Sequence, residues 1–412
     1  REIIFQGALK DERFIGFADF LFKVPGDSEL GDYHYEPWDT KLALKAKPYF
    51  LVQLACYADM LQRIQGVLPR KVHVVLGDKK KESFRTEDFL YYYRNLRKSL
   101  INQQENWSKD CPPDFTGAEE FGRWTSHAEK LIEEWDHLCQ VANIKSTQIN
   151  KLSNAGIDTM TALARTELTS IPKLQMKTFA TLKKQAHLQM QSKGLEKPLY
   201  ELVENVEEAK GLSRLPPSSS LDVFFDIEGF PLAEDGLEYL FGITYIENDK
   251  PGFKDWWAHD ERQEKKAFED FVDYVHGRWL KDPDMHIYHY ASYEKTALRR
   301  LMGKYGTREK EVDELLRNEV LVDLYTIVRQ SIMVGEPRYS LKNIEHLYRG
   351  KRGEGVSTAL DSVIQYQNWI DYPDGKDWTT SEILKDIRNY NIDDCESTWQ
   401  LANWLRELQS RD

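Results

Sequence analysis

The pattern of apolar and polar positions predicts a chain built from several separate α/β segments. Glu2–Leu9 and Arg13–Val24 alternate as an antiparallel strand pair across a polar turn, Tyr33–Ala43 follows as a third strand, and Val72–Leu76 as a further one. Tyr49–Leu61 carries a helical spacing, and 78–104 predicts a strand edge followed by a charged helix. From Asp136 to Gln189 the pattern changes to short helices with tight turns, and a Gly-, Pro- and Ser-rich run leads to residue 220. Residues 221–228, Leu-Asp-Val-Phe-Phe-Asp-Ile-Glu, are β-branched and aromatic and predict a buried strand. Strands over Leu237–Ile246 and Trp256–Ala258, an amphipathic helix over Glu264–Leu280, a short strand at Met285–Tyr290 and a helix from Ala291 to Leu301 complete a mixed sheet flanked by helices. Ser381–Leu408 is helical, with Leu384, Ile387, Leu401, Leu405 and Leu408 on the buried side.

At 412 residues the chain exceeds one ordinary domain. The pattern divides it into 1–105, a helical connector over 106–192, a linker over 193–220, and 221–412. A 41% hydrophobic and 12% aromatic composition supplies apolar residues for sizeable cores. No signal peptide and no membrane-spanning apolar run stand out, so a cytoplasmic, soluble protein with no membrane partner is expected. Cys56, Cys111, Cys139 and Cys395 form no C-x-x-C pair, which argues for a reducing setting and against a zinc or iron–sulfur site. The net charge of −12 disfavours a nonspecific nucleic-acid coat protein but leaves room for local basic patches, at Lys41–Lys47, Arg70–Lys81, Arg94–Lys98 and Lys295–Lys304. The default for each of these is a solvated face.

Side chains alternate along a strand, so Asp226 and Glu228 emerge on one face. Two neighbouring carboxylates at the end of an apolar strand raise one another's pKa and pay for desolvation unless a cation joins them. The spacing equally suits a strand end where both acids meet water. Glu294 falls in the first turn of the helix after 285–290, and Tyr390 and Asp394, spaced i and i+4, share a helical face. The order Asp-x-Glu, Glu, Tyr-x-x-x-Asp resembles the DnaQ-like (DEDDy) 3′–5′ exonucleases of the ribonuclease H-like fold. The resemblance covers the last half of the chain. It implies two magnesium or manganese ions held by Asp226, Glu228, Glu294 and Asp394, with Tyr390 orienting the attacking water. The family usually has Asp where this chain has Glu294, one methylene longer. Asp323, after another apolar run, is expected to support the site from behind its ligands or to be structural. Phe230–Tyr239 is expected to form a loop that meets the terminal nucleotide, Ser340 to cap a helix, and 369–378 to be a surface insertion.

In the first segment, Gly16-x-x-Asp19, Asp39-x-Lys41 and Gln53-x-x-x-Tyr57 occur in that order. This trio resembles the RecB-type branch of the PD-(D/E)XK nucleases. The resemblance implies a metal held by Asp19 and Asp39, a water oriented by Lys41, and DNA touched by Gln53 and Tyr57. An Asp–Lys ion pair on a sheet edge beside ordinary helix surface is the plain alternative. Members of that family usually carry a further site residue on a helix before the first strand, so this part is expected to be incomplete. Ile149–Ala164, with its Gly156 turn, has the form of a helix–hairpin–helix module, and Leu168–Lys183 of a weaker copy. Such hairpins present backbone N–H groups to phosphate, and Lys173 and Lys177 would add to that contact.

The combination resembles a bacterial family of multidomain RecB-like nucleases, some joined to a superfamily 1 helicase. The expected fold is therefore α/β multidomain: a partial PD-(D/E)XK segment, a small all-α helix–hairpin–helix module and a ribonuclease H-like mixed-sheet domain. The expected function is a metal-dependent 3′–5′ DNA exonuclease acting on single strands or 3′ ends, with RNA left open. Cutting at the N-terminal site, or a DNA-binding adaptor with both sites eroded, are the alternatives.

Overall fold

The structure is a computed structural model that describes every residue except 42, 44, 78, 109–113, 117–120, 204–209, 234, 249, 351–358 and 411–412. Cys111, weighed above for metal chemistry, lies outside the described residues. The chain divides into two compact units, Arg1–Pro113 and Asp114–Asp412.

In the first unit, β1 (Ile3–Lys10), β2 (Ile15–Ser28), β3 (Gly31–Thr40), β4 (Lys71–Val75) and β5 (Lys81–Arg85) form one sheet in the order β1-β2-β3-β4-β5. β3 and β4 are parallel and the other pairs antiparallel. The parallel step requires a crossover. Helix α1 (Pro48–Gln65) supplies it, opened by Pro48 and closed by Gly66 in the left-handed region. It packs on the sheet through Leu54, Tyr57, Ala58 and Leu61. Helix α2 (Glu87–Glu105) lies against α1 through Leu90 and Tyr93 on Ala55.

The second unit begins with helices α3 (Thr125–Glu134), α4 (Ser146–Ser153), α5 (Met160–Arg165) and α6 (Met176–Ser192). Leu138, Ile149, Leu152, Leu163, Phe179 and Leu182 share one small core there. The stretch expected to be a linker, 193–220, holds more structure than its composition promised. Strand β6 (Tyr200–Leu202) pairs with β12 (Ile332–Val334), and Leu212 and Leu215 are buried. Gln185 on α6 donates to the Val334 carbonyl at 2.8 Å, so the helices are fastened to that strand pair.

The five-stranded sheet of the second unit runs β11-β10-β7-β8-β9, from β7 (Val223–Phe230), β8 (Leu237–Glu247), β9 (Lys250–Trp257), β10 (Ile287–His289) and β11 (Leu321–Asp323). β7, β8 and β9 are antiparallel neighbours, while β10 and β11 add in parallel. Central β7 is covered on both faces, which is why its sequence is apolar throughout. Phe225 and Ile227 meet α7 (Glu261–Trp279), α8 (Tyr293–Tyr305) and α9 (Glu309–Arg317). Phe224 points the other way, toward α10 (Leu324–Ser331), the short α11 (Leu341–Ile344) and α13 (Glu382–Gln409). By the period of two, Asp226 and Glu228 follow Phe224 onto the α13 side. Helix α12 (Ala359–Asp371) was not foreseen; its Tyr366 and Trp369, with Trp378, pack against Leu384 and Ile387, so the 369–378 stretch is partly core rather than only surface.

Candidate metal centre

β7 and α13 meet at one spot, and three carboxylates meet with them. One oxygen from each of Asp226, Glu228 and Asp394 lies within 4.8 Å of the others. Asp226 keeps some exposure, while Glu228 and Asp394 are buried. Glu294, buried at the start of α8, approaches without joining that tight group. Its charge still acts on Asp226. His289 Nδ1, at the end of β10, lies 3.4 Å from Glu294 Oε2, too poorly aligned for a hydrogen bond. Tyr390 sits one helical turn before Asp394 and is buried, with Lys342 4.7 Å from its ring centre.

The electrostatics follow from crowding. Burial pushes the Asp226 carboxyl well above its ordinary value, and the charges of Asp394, Glu228 and Glu294 push the same way. Burial likewise raises Glu228, against a hydrogen bond from Ser362. Glu294 is raised by burial despite His289. Burial and then Asp394 keep the Tyr390 hydroxyl firmly protonated. Hard oxygen donors that repel one another fit a hard divalent cation, and Asp226, Glu228 and Asp394, with Glu294 in reach, are the residues that would hold it.

Four residues outside the expected set, Asn391, Gly242, Ser362 and Tyr239, shape the carboxylates. Asn391, fully buried, donates from Nδ2 to Asp226 Oδ2 at 2.7 Å. It fits because Gly242, paired with Asp226 on the neighbouring strand, has no side chain; a Cβ there would lie 1.7 Å from Asn391 Oδ1. Ser362 on α12 donates to Glu228 Oε2 at 2.6 Å and is itself hydrogen-bonded by buried Tyr239. Burial holds the Tyr239 hydroxyl protonated, so Tyr239 donates to Ser362 and Ser362 to Glu228. The signal for Asn391 was its place between Tyr390 and Asp394. That for Ser362 was the spacing Val363, Tyr366, Trp369, which marks a helix. Ser362→Ala is expected to weaken manganese binding about tenfold, measured by calorimetry, because carboxylates that ligate metals depend on such donors. Unchanged affinity would remove Ser362 from the centre.

Asp323 caps α10, accepting from Tyr325 N at 2.9 Å and Thr326 Oγ1 at 2.7 Å, so it serves the fold. Ser340 caps α11. The stretch 230–239 is a loop only over its middle, since Phe230 ends β7 and Leu237 begins β8. Phe230, Pro231, Leu237, Glu238, Tyr293 and Arg300 line a cavity of about 350 Å³ beside the strand end.

In the first unit the other expected residues are also close together. Lys41 Nζ lies 2.7 Å from Asp39 Oδ2 and donates to Gln53 Oε1 at 3.1 Å. Gln53 in turn donates to Tyr57 Oη at 3.0 Å, and Tyr57 to the Phe17 carbonyl at 3.1 Å. Asp19 accepts from the Thr40 N–H at 2.9 Å and its hydroxyl at 2.6 Å. Burial acts to raise Asp19, but those two donors outweigh it and its pKa falls. Asp39 is raised, by burial first and by Asp19 beside it, with Lys41 opposing. Gly156 lies exposed in the turn between α4 and α5 at a φ of +79°, a conformation few residues other than glycine adopt readily. Lys173 and Lys177 are exposed around the start of α6.

The five-stranded sheet of the second unit and its acid cluster define a mixed α/β domain with a candidate metal centre at the end of its central strand. Residues 223–406, less than half of the chain, match the family model described as the RNase_H superfamily. The C-terminal part is therefore an RNase H-like domain, and with its three converging acids it points to a metal-dependent nuclease. No curated protein matches the chain. Among the described residues no helix is long and apolar enough to cross a membrane.

The raised carboxyls also set a pH dependence. In the unfolded chain these groups ionise near ordinary carboxylate values; in the folded protein ionisation is penalised. Their contribution to stability is therefore full below the ordinary carboxylate range and is lost as pH rises through the raised values. A divalent cation binds the ionised form and restores it. The gain in Tm on adding manganese is expected to grow from about pH 5 to about pH 8. A gain that shrinks over that range would contradict the assignment.

Proposed function

We propose that this chain is a metal-dependent DNA nuclease that removes nucleotides from 3′ ends at the Asp226, Glu228, Glu294 and Asp394 centre. The convergence of Asp226, Glu228 and Asp394 within 4.8 Å on an RNase H-like sheet carries this reading. Two magnesium or manganese ions bound there would supply the charge that neutralises the attacking and leaving oxygens of the phosphodiester. Asp226 and Asp394 face one another from strand and helix and hold the ion-binding oxygens. Asn391 and Ser362 fix the outer oxygens of Asp226 and Glu228. Tyr390 keeps its proton, which is hydrogen-bonded to Asp394, and in this reading its hydroxyl oxygen orients the attacking water. The 350 Å³ cavity next to Phe230 gives room for the terminal nucleotide.

A second reading is favoured by a particular observation: the linked chain Asp39, Lys41, Gln53 and Tyr57. It supports a RecB-type site in which Asp19 and Asp39 hold a metal and Lys41 orients water. The hairpin around Gly156, with Lys173 and Lys177, would in either case bind the DNA backbone as a helix–hairpin–helix module.

Strands labelled at the 3′ or the 5′ end separate the readings when incubated with magnesium or manganese, with and without chelator. The expected result is metal-dependent loss of the 3′ label as mononucleotide, absent in Asp226→Asn and retained in Lys41→Ala. Loss in Lys41→Ala alone would move the cutting to the first unit. Binding without any cleavage would leave a DNA-binding adaptor.

A further inference from the structure

The basic run Arg94–Lys98 is used by neither candidate site, and it lines the wall of a cavity. Between α1 and α2 lies a space of about 660 Å³ bordered by Asp59, Arg63, Arg94, Arg97, Lys98 and Asn102. It opens on the flank of α1 turned away from Gln53 and Tyr57, since residues 59 and 62 lie roughly opposite 53 and 57 at 3.6 residues per turn.

Two buried carboxylates organise the arginines. Asp59 pairs with Arg94 at 2.8 Å and Arg63 at 3.4 Å; Asp11 pairs with Arg97 at 2.8 Å and Arg63 at 3.7 Å. Arg97 is further fixed over the Phe14 ring, and its buried Nε has no hydrogen-bond partner. Four cations, Arg63, Arg94, Arg97 and Lys98, thus stand against the two carboxylates Asp59 and Asp11, with Glu29 beside Gly66 at the edge, and positive charge remains in excess in a protein whose net charge is −12. Guanidinium groups held in place lose little entropy on meeting a phosphate, and their fork suits its oxygens. Lys98 makes no ion pair among the described residues and stands exposed at the rim. Tyr91, Lys98 and Asn102 fall within about 40° of one another around α2. Tyr91 is 81% exposed, an aromatic face in line with the basic stripe. Alternating cation and aromatic ring is how single strands are bound without regard to sequence.

We propose that the α1–α2 cavity of the first unit is a docking site for the phosphate backbone of a single-stranded nucleic acid, with Arg94, Arg97 and Lys98 taking phosphates and Tyr91 stacking a base. The proposal deepens the nuclease reading, on which it rests: it gives the first unit a hold on substrate that uses neither set of candidate catalytic residues.

The test uses the full chain and a fluorescein-labelled 20-mer of oligodeoxythymidylate in chelator, titrated over a range of salt. Arg94→Gln with Lys98→Ala is expected to weaken binding about tenfold, and the slope of log affinity against log salt to fall by about 1.4 for two lost contacts. Lys98→Ala alone, which breaks no ion pair, is expected to give about half that fall in slope, and Lys98→Arg to restore it. Cleavage of a small chromogenic phosphodiester, which has no strand to dock here, should be unchanged in every variant. Unaltered affinity and slope in Lys98→Ala and in the double variant would overturn the proposal. If the wild type binds the 20-mer but cuts neither substrate, the nuclease reading fails while the docking result stands by itself.

Discussion

Asp226→Asn is expected to abolish metal-dependent cleavage and, at the same time, to raise the Tm of the metal-free protein. The first effect follows from losing the strand ligand that faces Asp394. A loss of about 10³-fold, roughly 4 kcal/mol of barrier, is the scale for a two-metal centre deprived of a ligand. The second follows from crowding. Asp226 is pushed up by burial and by three neighbouring carboxylates, so an amide of the same shape removes repulsion without opening a cavity. Asn391 donates to Asp226 Oδ2, and the new amide can turn its oxygen to the same donor. Activity and thermal unfolding measured on one preparation decide the matter. A variant that loses both activity and stability would mean that Asp226 serves the fold, and the metal centre would lose its main support.

Gly242→Ala is expected to have the largest effect on stability for the smallest chemical change. The added methyl would stand 1.7 Å from Asn391 Oδ1 and 2.8 Å from Phe253 Cζ. Both neighbours lie against the central sheet, so the strain has little room to relax, and overpacking of this kind costs about 1–3 kcal/mol. Its second consequence is specific. Asn391 must move, and with it goes the donor that fixes Asp226, so manganese affinity should fall as well. Adding Asn391→Ala removes the worst clash and should return most of the lost Tm without returning the affinity. Losses that simply add would show that position 242 and residue 391 act separately.

The sequence made the acid strand legible because its pattern is nearly deterministic: an apolar run with two acids two residues apart puts both on one face. The long helix bearing Tyr390 and Asp394 was legible for a similar reason, since its apolar spacing persists over many turns. Other features depended on partners far away in the chain. Asn391 could be placed on the helix but not aimed, because its role depends on a glycine at 242. Ser362 was hidden because its partners, Glu228 and Tyr239, lie far away in the chain. Residues 200–202 and 211–215 took on structure against their composition, because β6 finds an edge at β12 and Leu212 and Leu215 find a core. In the first unit the motif residues were named from their order, but the chain from Lys41 to Tyr57 could not be traced without the crossover helix that aligns them.

A nuclease centre here requires cations resting between β7 and α13. Crystals of the full chain soaked in manganese, with anomalous differences measured, test this directly. The predicted result is a peak in contact with Asp226, Glu228 and Asp394, absent from crystals of Asp226→Asn. Difference density that leaves those carboxylates bare, while the same crystals bind manganese elsewhere, would contradict it.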